Sequence, residues 1–129
     1  MARKVLPKLT DAEFEIMKIV WENAEATINQ VLESINAQKP NILKRTTIQV
    51  QMTRLEEKGW LTHREEARMF YYKATRGREK VSAEIAKDIS SRVFARSYAE
   101  MVKCLFQNAK VSRQEIKRIR KILEAYERG

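Results

Sequence analysis

The run Lys44-Arg45-Thr46-Thr47-Ile48-Gln49-Val50-Gln51-Met52-Thr53-Arg54 carries the clearest chemistry in this sequence. That chemistry is hydrogen bonding and charge neutralisation rather than bond breaking. Ile48, Met52 and Leu55 recur at i, i+4 and i+7, which puts them on one stripe of a helix. Thr46, Thr47, Gln49, Val50, Thr53 and Arg54 then share the reverse face, with Val50 its only strongly apolar member. Lys44, Arg45 and Arg54 can neutralise phosphates. The hydroxyls of Thr46 and Thr47 can bond phosphate beside the positive end of the helix. Gln49 can pair bidentately with adenine, and Val50 can touch a thymine methyl.

Chemistry of other kinds is missing. There are no paired carboxylates, no nucleophile beside a base and no glycine-rich phosphate loop, so an enzyme is not expected. One cysteine, Cys104, excludes an internal disulfide, and with one histidine, His63, it cannot build a structural zinc site. No metal and no cofactor are therefore expected. No apolar run approaches the roughly 20 residues of a bilayer span, and the start, MARKVLPKLTDAEFE, lacks the apolar region of a signal peptide. A reduced cytoplasmic protein without membrane insertion is the expectation.

The chain has 129 residues, with 26 Lys+Arg against 17 Asp+Glu, a net charge of +9 and a pI near 9.8. Such a balance points to an acidic partner, with nucleic acid and membrane surface as candidates. The charge is also segregated. Over residues 11–38 Lys18 stands alone against Asp11, Glu13, Glu15, Glu22, Glu25 and Glu33. Over 39–76 the order reverses: Lys39, Lys44, Arg45, Arg54, Lys58, Arg64, Arg68, Lys73 and Arg76 face four glutamates.

The elements that must hold the basic face announce their own starts. A Ser or Thr followed three residues later by Glu or Gln can satisfy two orphan N–H groups at a helix N-terminus. This pattern occurs at Thr10–Glu13, Thr27–Gln30, Thr46–Gln49, Ser97–Glu100 and Ser112–Glu115, each before an amphipathic run. Helices are predicted over about 10–23 (Phe14, Met17, Val20 and Trp21 inward, with Ile16 beside them), 27–37 (Ile28, Val31, Leu32, Ile35) and 46–58. Lys39-Pro40-Asn41 breaks the second, and Gly59 stops the third. The period then changes to two. Residues 60–64 and 69–74 read as strands joined by Glu65-Glu66-Ala67-Arg68, a hairpin. Three more helices follow, over about 78–94, 98–107 and 113–127.

The predicted fold is mainly α with a small β-hairpin, and three helices followed by a hairpin is the order of a winged helix-turn-helix. Residues 1–76 would form that DNA-binding domain. Residues 77–129, about fifty, rarely bury enough surface to fold alone. Their apolar stripes predict a three-helix dimerisation domain that packs on a second copy. Three residues or runs have plain readings: His63 as a wing surface residue, Cys104 as a small core or interface residue, and Phe70-Tyr71-Tyr72 as packing of the wing on the third helix.

LTDAEFEIMKIVWE, TINQVLESI, RTTIQVQMTRLEEKGWL, MFYYKA and the terminal SRQEIKRIRKIL together resemble the bacterial penicillinase-, methicillin-resistance- and copper-transport-repressor family. The resemblance implies a homodimeric repressor on inverted repeats of double-stranded DNA, often containing TACA/TGTA. It also implies an operon that commonly encodes a membrane sensor-protease. The family's DNA-reading positions fall on Thr46, Thr47, Gln49, Val50 and Arg54, with Gln49 where some relatives have arginine. The wing lacks the glycine many members place at its tip; Arg68 can reach a phosphate, whereas Glu65 and Glu66 repel one. The copper branch carries paired C-x-C motifs, but this chain ends EAYERG, so metal sensing by that route is not expected. The β-lactam branch is inactivated by cleavage at an Asn-Phe bond. That position holds Cys104-Leu105 here, so a penicillinase-system protease is not expected to cut it, and another protease or signal would act. Two rival readings are a small-molecule-responsive regulator, with Tyr98, Met101 and Phe106 lining a pocket, and a winged helix that binds only proteins.

Overall fold

A computed structural model of the chain describes residues 6–38, 40 and 42–129. The order of elements is α1 (Asp11–Asn23), α2 (Ile28–Gln38), α3 (Arg45–Glu57), β1 (Leu61–Glu66), β2 (Met69–Ala74), α4 (Arg78–Val93), α5 (Tyr98–Asn108) and α6 (Arg113–Glu127). The mainly α fold with one antiparallel hairpin is thus as read from sequence. Lys39 and Asn41 of the expected breaker lie outside the described residues, and α2 ends at Gln38.

Four of the five capping signals form. Thr10 and Glu13 exchange both bonds of the box, Glu13 N–H donating to Thr10 Oγ1 at 3.2 Å and Thr10 N–H to Glu13 Oε1 at 2.8 Å. Thr27 and Gln30 do the same. Ser97 and Ser112 accept from Glu100 N–H and Glu115 N–H. The Thr46–Gln49 box does not form. Helix α3 begins one residue early, with Lys44 at the N-cap and no side-chain cap, and Gln49 is instead engaged by Arg45.

The chain divides into two compact units, one ending at Ser82 and the other running from Ala83 to Gly129. The first unit extends into α4 because Val81 is buried with its core. That core joins Ile16, Met17, Ile19 and Val20 of α1, Ile28, Val31 and Ile35 of α2, and Ile48, Met52 and Leu55 of α3. The buried face of α1 is therefore rotated from the expected one: Phe14 and Trp21 are only half-buried, and Glu13 lies inside. The hairpin is tied to the helices on two sides. Ala26 and Tyr72 exchange backbone hydrogen bonds of 2.9 Å each. Two indole N–H groups pin flanking chain, Trp21 donating to the Arg76 carbonyl at 2.9 Å and Trp60 to the Pro7 carbonyl at 2.8 Å.

Helix α3 ends as its glycine requires. Gly59 has φ +90°, Gly59 N–H donates to the Glu56 carbonyl and Trp60 N–H to the Leu55 carbonyl, the paired bonds of a Schellman ending. The hairpin turn solves its geometry without glycine. Glu66 pairs with Met69, leaving Ala67 and Arg68 as a two-residue loop with φ 51° and 65°. Two positive φ values mark the turn that suits the right-handed strand twist, but each costs about 1–2 kcal/mol for a residue with a Cβ. Part of that is offset on substitution by the extra freedom glycine gives the unfolded chain. Ala67→Gly is therefore expected to raise the unfolding free energy by about 0.5–1 kcal/mol in urea titration. An unchanged or lower midpoint would show that the turn is not strained.

In the second unit, α4 and α5 are joined through Ala95 (φ 48°) and Arg96 (φ 68°), with Arg96 N–H on the Ser90 carbonyl at 2.8 Å. Ser90 is the only fully buried residue from Ala83 onward. The apolar residues that should form a core there stay open: Leu105 is 60% exposed, Leu123 58% and Tyr126 82%.

Candidate nucleic-acid interface

Helix α3 is fixed by a stripe and displays the rest. Ile48, Met52 and Leu55 are fully buried, so the helix cannot roll without opening the core. Opposite them, Thr46, Val50, Thr53 and Glu57 run down the centre of the outer face, and Thr46, Gln49, Val50, Thr53, Arg54 and Glu57 line one shallow groove. Lys44, Arg45, Thr46, Thr47, Gln49, Val50 and Arg54 are all exposed. Val50 is 55% exposed, an apolar side chain on a polar face. The expected set on α3 is thus brought to one surface. Arg68 stands apart from it in sequence but shares a cleft with Arg45, Gln49 and Asn29. Cys104 and Leu105 belong to the second unit, mid-way along α5, and are not part of this surface.

The positive end of α3 is open. The starts of α1, α2, α5 and α6 are closed by their own Thr or Ser side chains. Lys44 offers no such cap, so N–H groups of the first turn of α3 remain for an outside acceptor.

The basic side chains divide into engaged and displayed ones. Arg64 is engaged: its Nε donates to Glu25 Oε2 at 2.8 Å, its Nη2 to Glu25 Oε1 at 3.2 Å, and its Nη1 to Glu66. It also lies over the Tyr71 ring, 4.6 Å from the centroid. Hydrogen bonding to Glu25 and Glu66 holds the guanidinium pKa above its ordinary value, and the same contact lowers that of Glu25. Arg64 thus braces the wing against the loop after α1. Lys58 is engaged with Glu13 at 2.7 Å and the Lys8 carbonyl at 2.8 Å. Arg54 and Arg68 project from the α3 surface and from the wing tip.

The aromatic run on β2 splits. Tyr72 is buried as expected, and burial raises its hydroxyl pKa. Phe70 is not: it is 41% exposed and stacks at 4.5 Å on the His63 ring. His63 Nδ1 in turn sits 2.7 Å from the Glu56 carboxylate of α3. The wing therefore reaches α3 through a histidine–glutamate pair as well as through packing.

The family model for the penicillinase repressor matches residues 9–125. The chain belongs to the penicillinase repressor family. It is 28% identical over 123 residues to the penicillinase repressor of Bacillus licheniformis, covering 95% of this chain and 94% of the relative. It is 27% identical over 116 residues to the methicillin resistance regulatory protein MecI of Staphylococcus aureus strain N315, covering 90% and 93%. A solution structure of the Bacillus licheniformis BlaI monomeric form in complex with the blaP half-operator superposes with a TM-score of 0.50 at 31% identity. That match covers 60% of this chain and 92% of that one.

Membership places the chain among repressors rather than enzymes. Among the described residues, no helix is long and apolar enough to cross a membrane. One residue of this penicillinase-repressor-family surface escaped the sequence reading. Asn29, in the first turn of α2, accepts the Arg45 Nε–H at 2.9 Å. Its only sequence signal is its place two residues after the capping Thr27.

Proposed function

We propose that the chain is a homodimeric repressor that binds an inverted-repeat operator, with α3 of each copy in the major groove. The observation that carries this reading is the α3 surface itself: a fully buried Ile48-Met52-Leu55 stripe opposite exposed Lys44, Arg45, Thr46, Thr47, Gln49, Val50 and Arg54. A relative of the same family is described in complex with a half-operator. On this reading Thr46 and Thr47 bond phosphate at the uncapped helix start, while Lys44, Arg54 and the wing's Arg68 neutralise flanking phosphates. Gln49 and Val50 face base edges.

Residues 77–129 join the two copies. Their support is the apolar surface left open on α4, α5 and α6, where Ile89, Val93, Val102, Leu105, Ile122 and Leu123 are exposed. Two linked reading heads gain affinity that neither has alone, so separating the copies releases the operator. The signal that separates them is proteolysis, by a membrane sensor-protease reading Cys104-Leu105, or a direct disruption of the dimer. Leu105 is open to attack, but its bond lies within helix α5, which must unwind first.

The test is fluorescence anisotropy of the full chain on sites selected from a random DNA library and on scrambled controls. Tight binding to the selected site and binding weaker by about 10³-fold or more on the control is expected. Arg54→Ala should weaken both alike and reduce the slope of log affinity against log salt by about one. Equal affinity for selected and scrambled DNA would overturn the repressor reading, and an unchanged salt slope would remove Arg54 from the phosphate contacts.

A further inference from the structure

We infer that Arg45 and Gln49 read the operator as one unit with a donor edge, selecting guanine, and that Asn29 is the residue that positions this unit. The inference rests on the operator-binding reading above and deepens it. Arg45 donates from Nε to Asn29 Oδ1 at 2.9 Å and from Nη1 to Gln49 Oε1 at 3.2 Å. A guanidinium has five donors and no acceptor, so only the amide oxygens can face it. Both carboxamides are thereby oriented by chemistry. The Gln49 oxygen turns towards Arg45, and the Gln49 amide hydrogens turn away from it.

What remains for a base is therefore rich in donors: the Gln49 NH₂ and the Arg45 Nη hydrogens not used by Asn29 or Gln49. In the major groove adenine presents an acceptor beside a donor, cytosine a donor, and thymine one acceptor beside a methyl group. Guanine presents two acceptors, O6 and N7. It alone meets two donors with two acceptors, whereas thymine can satisfy one and sets a methyl group against the other. The adenine pairing open to an isolated Gln49 needs the amide oxygen for the base, and here Arg45 already holds that oxygen.

Asn29 matters because it reaches Arg45 from another helix. Arg45 and Gln49 are one turn apart on α3, whereas Asn29 belongs to the first turn of α2. Without it the long Arg45 side chain loses its anchor at Nε and swings to the nearest phosphate, which frees the Gln49 oxygen. Selectivity would fall while overall attraction to DNA persisted, since phosphate contacts carry no sequence information.

The experiment uses the full chain on its library-selected site, with every base substituted singly in competition binding. One guanine per half-site is expected whose change to adenine weakens binding about tenfold, and 7-deazaguanine at that position, which lacks the N7 acceptor, also weakens it severalfold. In Gln49→Ala and in Asn29→Ala this discrimination should fall to about threefold or less, with affinity for scrambled DNA changed by no more than about twofold. Asn29→Asp keeps an acceptor for Arg45 and should retain the guanine preference. An adenine at the Gln49-sensitive position, or unaltered discrimination in Asn29→Ala, would overturn the inference and leave operator binding intact. Failure of the library to yield any enriched site would overturn operator binding itself, and the inference with it.

Discussion

The Leu105→Asp/Leu123→Asp variant is expected to sediment as a monomer at micromolar concentration and to bind the full operator about 10²–10⁴-fold more weakly than the native chain. Both side chains are more than half exposed in the single copy, so a carboxylate there is hydrated and costs the separate protomer little. Placed between two apolar faces, the same carboxylates would be desolvated without a partner. The helices that carry them make the case for a second copy. No residue of α5 or α6 is buried, yet Ile116, Ile119, Leu123 and Tyr126 recur along α6 at helical spacing. Binding to a single half-site should change little, because the winged helix is untouched. A variant that remains dimeric, or one that becomes monomeric with undiminished operator affinity, would show that these stripes do not join the reading heads.

Lys58→Met should destabilise the winged helix by about 2–4 kcal/mol at pH 7. Glu13 is buried, and its Oε1 takes hydrogen bonds from Thr10 N–H at 2.8 Å and from Lys58 Nζ at 2.7 Å. Burial alone would raise the pKa of this carboxyl. The lysine and the Thr10 N–H outweigh it, and the net shift is downwards from 4.5. A lowered folded pKa means stability that is present above about pH 4.5 and is lost as the pH falls through the folded value. Removing the lysine leaves a buried carboxylate held by Thr10 alone, which takes away the largest downward pull on its pKa while burial still pushes it up. The deficit of the variant should therefore be largest near neutrality and shrink as the pH falls through the lowered folded value of the native protein, below which Glu13 carries a proton in both proteins. Urea titrations at pH 7 and at successively lower pH measure both arms. A deficit equal at every pH would mean that Lys58 acts by packing and not by charge.

The order of elements was legible because five of the six helices open with a start signal and the change from period 3.6 to period 2 is sharp after Gly59. Ile48, Met52 and Leu55 gave the inner stripe of α3, and their opposite face followed from it. Where the reading failed, a contact that residue spacing does not reveal had taken the place of the expected one. Thr46–Gln49 has the spacing of a capping box, but Arg45 occupies the Gln49 oxygen, and the helix starts at Arg45 uncapped. Glu13 looked like a capping partner alone; that it is buried depends on Lys58, 45 residues away. Phe70 was expected to pack inward and does share a strand face with Tyr72, two residues on, but it lies next to the hairpin turn, at the far end of the wing. On this wing the cover for Phe70 is the His63 ring, which leaves much of it open. Asn29 carried no signal beyond its place after the capping Thr27, because a polar residue in a first helical turn is ordinary until an arginine from another helix is seen to end there.

The central claim is that two copies of this surface read one symmetric site. Hydroxyl-radical footprinting of the full chain on its selected operator tests it directly. The expected pattern is two protected half-sites of the same sequence, related by a dyad and separated by one helical turn, about 10–10.5 base pairs, or a multiple of it. Residue changes on α3 should remove protection from both halves together. A single unsymmetrical footprint, or protection that survives loss of the α3 side chains, would contradict the account.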